Sequence, residues 1–116
     1  METNRSAPII AALSALAQEH RLGVFRALVQ VGPEGLAAGA IADKLGLPNS
    51  SLSFHLAQLR HAGLVSQRRE GRSLIYAADY GAMNALVGYL MENCCGGAEC
   101  TAQLSESLEN LERKCA

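Results

Sequence analysis

The chain has 116 residues and a formal net charge of −1; 49% of the residues are hydrophobic, 18% charged and 4% aromatic, with no Trp. That is the length of one domain, apolar enough to build a core of Leu, Ile, Val and Ala and too apolar for wholesale disorder. No apolar run approaches the ~18 residues of a membrane span, and the first residues lack the basic-then-apolar layout of a secretory leader, so the expectation excludes a multidomain enzyme, a membrane protein and an exported protein with a retained leader.

Ile9, Ile10, Leu13, Leu16 and Ala17 recur at the spacing of one helical face. A second helix is predicted from about Glu19 to Val31, with Leu22, Val24, Phe25, Leu28, Val29 and Val31 giving an apolar face too wide for a surface helix. Gly32-Pro33-Glu34-Gly35 ends it, because Pro cannot continue a helix. A short helix over about Ala38 to Leu45 is closed by Gly46. Leu47-Pro48-Asn49 then forms a turn, and Ser50 and Ser51 are candidate N-caps for a helix reaching about Ala62, with Leu52, Leu56 and Leu59 as its buried stripe. Two such helices joined by a tight Gly-containing turn are a helix-turn-helix pattern.

After Gly63 the periodicity changes. Leu64 to Arg69 and Ser73 to Ala78 read as two strands around Glu70-Gly71-Arg72, a hairpin. A last helix is predicted from about Asp79 to Asn93, with Met83, Leu86, Val87, Leu90 and Met91 on one face and Cys94 continuing it. The expected class is mainly α with a small β-hairpin, a winged helix-turn-helix of order α-α-α-α-β-β-α. Residues 1–93 are expected to form this winged helix-turn-helix domain, and residues 94–116 a cysteine-bearing tail with a short helix.

The near-neutral total hides an asymmetry. Residues 40–78 hold Lys44, Arg60, Arg68, Arg69 and Arg72 against Asp43 and Glu70, a balance of +3, whereas residues 79–116 balance to −4 and residues 1–39 to zero. Only the middle third suits a polyanion, although ordinary surface charge accounts for it equally well.

Cysteine usage is lopsided too: Cys94, Cys95, Cys100 and Cys115 all lie at the carboxyl end. A disulfide framework would staple the whole domain and not its tail. The expected setting is a reducing bacterial cytoplasm, where clustered thiols bind soft metals or sense redox state.

The run Ser51-Leu52-Ser53-Phe54-His55-Leu56-Ala57-Gln58-Leu59-Arg60-His61-Ala62-Gly63-Leu64-Val65 resembles the S-x-S-x-H-L-x-x-L-x-x-A-G-L-V segment of the ArsR/SmtB family of metal-sensing repressors. Arg68-Arg69-Glu70-Gly71-Arg72-Ser73-Leu74-Ile75-Tyr76 resembles the family's wing, and Leu16-Ala17-Gln18-Glu19-His20-Arg21-Leu22 its early L-x-x-x-x-R-L segment, with His20 where Pro is usual. The likeness covers about residues 9–93. It implies a homodimer held by the first and last helices, binding double-stranded operator DNA through the second helix of the motif and the wing.

With the leucine stripe turned inward, Ser50, Ser51, Ser53, Phe54, His55 and Gln58 are the expected DNA-facing residues, able to reach base edges and phosphates. Arg68, Arg69 and Arg72 surround the hairpin turn and are the expected wing contacts. Ser50 and Ser51 acting as caps, His55 packing inside the domain, and the wing arginines forming a solvated turn are the bland alternatives.

Cys94-Cys95-Gly96-Gly97-Ala98-Glu99-Cys100 brings three thiols to the end of the last helix. Zn²⁺ generally takes four ligands; three soft thiolates suit trivalent arsenic or antimony, so Cys94, Cys95 and Cys100 are the expected inducer ligands, with no organic cofactor. Many arsenic sensors of the resembling family carry Cys-Val-Cys in the third helix, where this chain has Ala37, Ala38 and Gly39. The zinc sensors place His and carboxylates on the last helix, and 80–93 holds no His. The resembling branch is the one whose arsenic thiols follow the last helix. Alternatives are a zinc or cadmium site completed by Cys115, with Cys115 otherwise buried on a tail stripe of Leu104, Leu108 and Leu111, or a thiol-redox sensor. An enzyme such as an arsenate reductase is disfavoured: no phosphate-cradling loop appears, and no base lies near a lone nucleophilic Cys.

Overall fold

The computed structural model describes residues 2–97, apart from the side chains of residues 2–5, Cys95 and Gly97. The elements are α1 (Glu2–Leu16), α2 (Glu19–Val31), β1 (Leu36–Ala37), α3 (Ala38–Leu45), α4 (Asn49–His61), β2 (Val65–Glu70), β3 (Ser73–Ala78) and α5 (Tyr80–Met91), followed by a 3-10 turn over Cys94–Gly97. The chain divides into a unit over 1–86 and a second over 87–116, the boundary falling inside α5.

In the first unit α2 is the hub, packing on α1, α3, α4 and β3. It buries Val24, Phe25, Ala27 and Leu28, while Leu22 stays 43% exposed. The α4 stripe behaves as its spacing requires: Leu52, Leu56 and Leu59 are at most 1% exposed, with Ile41 of α3 and Leu64 fully buried beside them in the same core. Burying one such side chain contributes about 1.5–3 kcal/mol.

The order of elements matches the winged helix-turn-helix expectation, with one strand added. Leu36 and Ala37 pair antiparallel with Tyr76 and Ile75, making a three-stranded sheet of order β1-β3-β2. Gly35 makes this approach possible: its φ is +73°, and a Cβ there would collide with the Tyr76 carbonyl. The β2–β3 register runs from Val65↔Ala78 to Glu70↔Ser73. The hairpin loop is therefore the two residues Gly71 and Arg72, with Gly71 at φ +63° as a tight loop between twisted strands requires.

Three local expectations are corrected. α1 begins at Glu2 and runs through Pro8, and its inward face is Ile9, Ala12 and Ala15, leaving Ile10 and Leu13 61% and 42% exposed. α4 begins at Asn49 behind Pro48, which makes no side-chain cap bond, so Ser50 and Ser51 lie inside the first turn and are not N-caps. α5 begins at Tyr80, with Asp79 Oδ1 accepting from the Ala82 amide at 3.0 Å.

In the second unit, the end of α5 exposes Val87 and Leu90. Asn93 then takes a left-handed φ of +57° and the chain turns through Cys94–Gly97. Cys100, Cys115 and the predicted tail helix lie outside the described residues. Among the described residues no helix is long and apolar enough to cross a membrane.

Candidate nucleic-acid interface

The face of α4 is set by its core stripe. With Leu52, Leu56 and Leu59 inward, the first turns present Ser50, Ser51, Ser53 and Phe54 outward, all exposed. Phe54 is the largest of these, 58% exposed. An aromatic left in water at the amino-terminal half of a reading helix is what contact with a thymine methyl uses.

Of the other two residues expected in that row, His55 is turned inward and Gln58 is partly covered. His55 is 9% exposed and turned into the domain, its ring centroid 5.7 Å from that of His20 and 6.0 Å, edge-on, from that of Phe54. Its Nδ1 is buried with no hydrogen-bond partner among the described residues. Burial, first, and then the charges of Arg21 and His20 hold its pKa below the usual 6.5. A ring one position from the leucine stripe follows that stripe inward, because helix faces are broad. Gln58, one turn after Phe54 on the same outward side of the helix, is half-buried and lines a cleft against α1 and α2 with Arg21 and His61.

The wing arginines are not equivalent. Arg68 donates from Nε to Glu70 Oε2 and from Nη2 to the Glu34 carbonyl, each at 2.7 Å. It therefore ties the hairpin to the loop before β1, with its charge partly matched by Glu70. Arg69 and Arg72 are exposed beside the turn, Arg72 within it. Sequence reasoning missed a polar chain that joins the wing to the reading helix: Arg60 Nη1 donates to Gln67 Oε1 at 3.0 Å, and Gln67 Nε2 donates to the Tyr76 hydroxyl at 2.7 Å. The only signal for it is a basic residue in the last turn of α4 and a Tyr on the paired strand.

The thiol residues are placed in part. Cys94 opens the turn after α5 and is half-buried, Cys95 follows it, and Cys100 lies outside the described residues. Among the described residues no three His, Cys, Asp or Glu side chains gather as a metal site.

A buried leucine-striped helix preceded by a short helix, with a hairpin tied to its end, defines a winged helix-turn-helix of the DNA-binding regulator class. A family model described as a helix-turn-helix domain matches residues 16–68. The nodulation protein NolR of Rhizobium meliloti is 40% identical over 80 residues, covering 69% of this chain and 63% of NolR, just under two thirds of that relative. The transcriptional activator HlyU of Vibrio cholerae is 35% identical over 95 residues, 82% of this chain and 84% of HlyU. The solved HlyU structure covers 82% of this chain and 99% of its own at a TM-score of 0.64. The solution structure of Mb0332 from Mycobacterium bovis, a homodimeric winged helix-turn-helix DNA-binding domain described as possibly of the ArsR family, is 26% identical, covers 84% and 91%, and has a TM-score of 0.64. A putative arsenical resistance operon repressor of Halobacterium salinarum is 38% identical over 63 residues, 54% of this chain and 48% of that protein. The chain belongs to the ArsR/SmtB family of winged-helix transcriptional regulators, and it is not an enzyme.

Proposed function

We propose that the protein is a homodimeric repressor that holds a palindromic operator and lets it go when trivalent arsenic or antimony engages Cys94, Cys95 and Cys100. The observation that carries the DNA half is the exposed Ser50, Ser51, Ser53 and Phe54 row on α4, beside a wing whose Arg69 and Arg72 project from a two-residue turn. Ser50, Ser51 and Ser53 are assigned to bases and phosphates, Phe54 to a thymine methyl, and Arg69 and Arg72 to flanking phosphates. Arg68 fixes the wing's base through the Glu34 carbonyl, His55 supports α4 from its inner side, and Gln58, one turn beyond Phe54, stands at the edge of the assigned row.

The dimer is assigned to α1 and α5, which leave Ile10, Leu13, Val87 and Leu90 exposed. Mb0332 is itself homodimeric, and a two-fold pair sets two reading helices on successive turns of a palindrome.

The inducer half rests on donor chemistry. Cys94 and Cys95 begin the turn after α5, and Cys100 returns five residues after Cys95 in the sequence. Such a soft-sulfur set fits a thiophilic trivalent ion better than a hard cation. The named arsenical repressor among the relatives supports this class of inducer. The protein's part is to offer thiolates at the end of α5, so that gathering them bears on that helix end. The coupling needed is about 1–3 kcal/mol.

The test is fluorescence anisotropy with a palindromic duplex, titrated with arsenite. Release is expected in the wild type and lost in the chain carrying Cys94→Ser, Cys95→Ser and Cys100→Ser. Release that persists in this triple variant sinks the thiol site. Parallel titrations with cadmium and with a thiol oxidant separate the metal and redox alternatives.

A further inference from the structure

The first unit carries a cleft of about 260 Å³ where α1, α2 and the carboxyl-terminal half of α4 meet. Its polar wall is Ser14 of α1, Arg21 of α2, and Gln58 and His61 of α4. Among the described residues no Asp or Glu lines it, and the remaining wall is alanine: Ala11, Ala15 and Ala62. Small apolar side chains there leave room, and all four polar side chains are able to donate hydrogen bonds.

Arg21 is set in place before any ligand arrives. Its Nε donates to the Ala15 carbonyl at 2.7 Å, and its own amide donates to Gln18 Oε1 at 2.9 Å, the N-cap of α2. One edge of the guanidinium is thus fixed to α1, and the planar fork is held in orientation, the arrangement by which Arg recognises carboxylate and phosphate groups. Gln58 and His61 stand one turn apart on the reading helix, so the same face of α4 supplies two of the four donors.

We propose that this cleft is a binding site for a small oxyanion, of the carboxylate or phosphate type, held by Arg21, His61, Gln58 and Ser14. The volume lies just under the usual range of drug-sized ligand pockets and suits a small oxyanion. The cleft shares no lining residue with the thiols or with the assigned row of Ser50, Ser51, Ser53 and Phe54, so its test is read separately from the inducer and operator assignments.

The experiment is two-dimensional NMR of the full-length ¹⁵N-labelled protein, titrated in separate arms with inorganic phosphate and with acetate, at ionic strength held constant with chloride. Saturable shifts are expected at residues 14, 21, 58 and 61 in at least one arm, at millimolar concentration, and the responding arm identifies the oxyanion. Because Arg21 also joins α2 to α1, its removal risks the fold; His61 is exposed, so His61→Leu and the Gln58→Leu/His61→Leu double variant carry the test. Roughly tenfold weaker binding is expected in the double variant, a change of about 1.4 kcal/mol. No saturation in either arm, shifts centred on Arg69 and Arg72, or affinity unaltered in the double variant overturns the site.

Discussion

His55 is buried beside two basic neighbours and is held neutral by burial and by Arg21 and His20. A histidine whose folded pKa lies below its unfolded one contributes stability that is fully present above about pH 6.5 and is lost as the pH falls through the folded value, because the unfolded chain takes up a proton that the folded one refuses. Urea denaturation is therefore expected to show stability falling below pH 6.5, by at most about 1.4 kcal/mol per pH unit for this one proton. The slope flattens in His55→Leu; an equally steep slope in that variant removes His55 as its source. The wing arginines separate in the same residue-by-residue way. Arg72→Ala is expected to weaken binding to all DNA sequences alike and to lower the salt slope by about one unit. Arg68→Ala is expected to act first on the hairpin, whose tie to the Glu34 carbonyl it removes. Anisotropy over a salt series distinguishes the two. The Arg68–Glu70 pair is solvent-exposed, so it adds at most about 1 kcal/mol to stability. Glu70→Gln is expected to tighten non-specific DNA binding, by removing an acid from a surface meant for phosphate.

At the scale of elements, the two tightest demands are on the α4 stripe and on β1. Leu56→Ala opens a cavity under the reading helix and is expected to cost about 2–5 kcal/mol. Gly35→Ala must move Tyr76 out of register with Leu36, at a left-handed backbone position that alone costs about 1–2 kcal/mol; the expected sign is loss of β1 pairing, read by amide exchange at Leu36 and Ala37. Most element boundaries were legible because punctuation and periodicity agreed: Gly32-Pro33 closes α2, Gly46 closes α3, and the Leu52, Leu56, Leu59 spacing fixes the face of α4. β1 was not, because two residues carry no period and the strand exists only through Gly35's approach to β3. The start of α4 shifted because Pro48, with its fixed φ, opens a helix without any capping side chain. The outward placement of Ser50, Ser51, Ser53 and Phe54 followed from the stripe alone. The inward turn of His55, the cleft position of Gln58 and the tethering of Arg68 depend on α1, α2 and the Glu34 loop, contacts distant in sequence that no local pattern encodes.

For the molecule as a whole, the proposed pairing of two chains makes a further demand. Ile10→Glu puts a charge into the apolar face that α1 leaves exposed. Sedimentation velocity is expected to show a monomer in place of a dimer, with DNA affinity falling by orders of magnitude as two-site attachment is lost. A dimeric Ile10→Glu protein removes α1 from the seam. The two proposals give one small chain two ligands, a thiophilic ion at Cys94, Cys95 and Cys100 and a small oxyanion in the cleft lined by Arg21, and each is open to its own measurement.

The chain from Arg60 through Gln67 to Tyr76 has one last consequence. It braces the hairpin against α4 like the arms of a pair of dividers, so that, on the proposed assignment, the stride between the bases given to α4 and the phosphates given to the wing is held within each half. Operators that lengthen that stride by a base pair are expected to bind worse than those that change the bases under the wing. Gln67→Ala, by loosening the hinge of the dividers, is expected to blunt that intolerance before it weakens the preferred site.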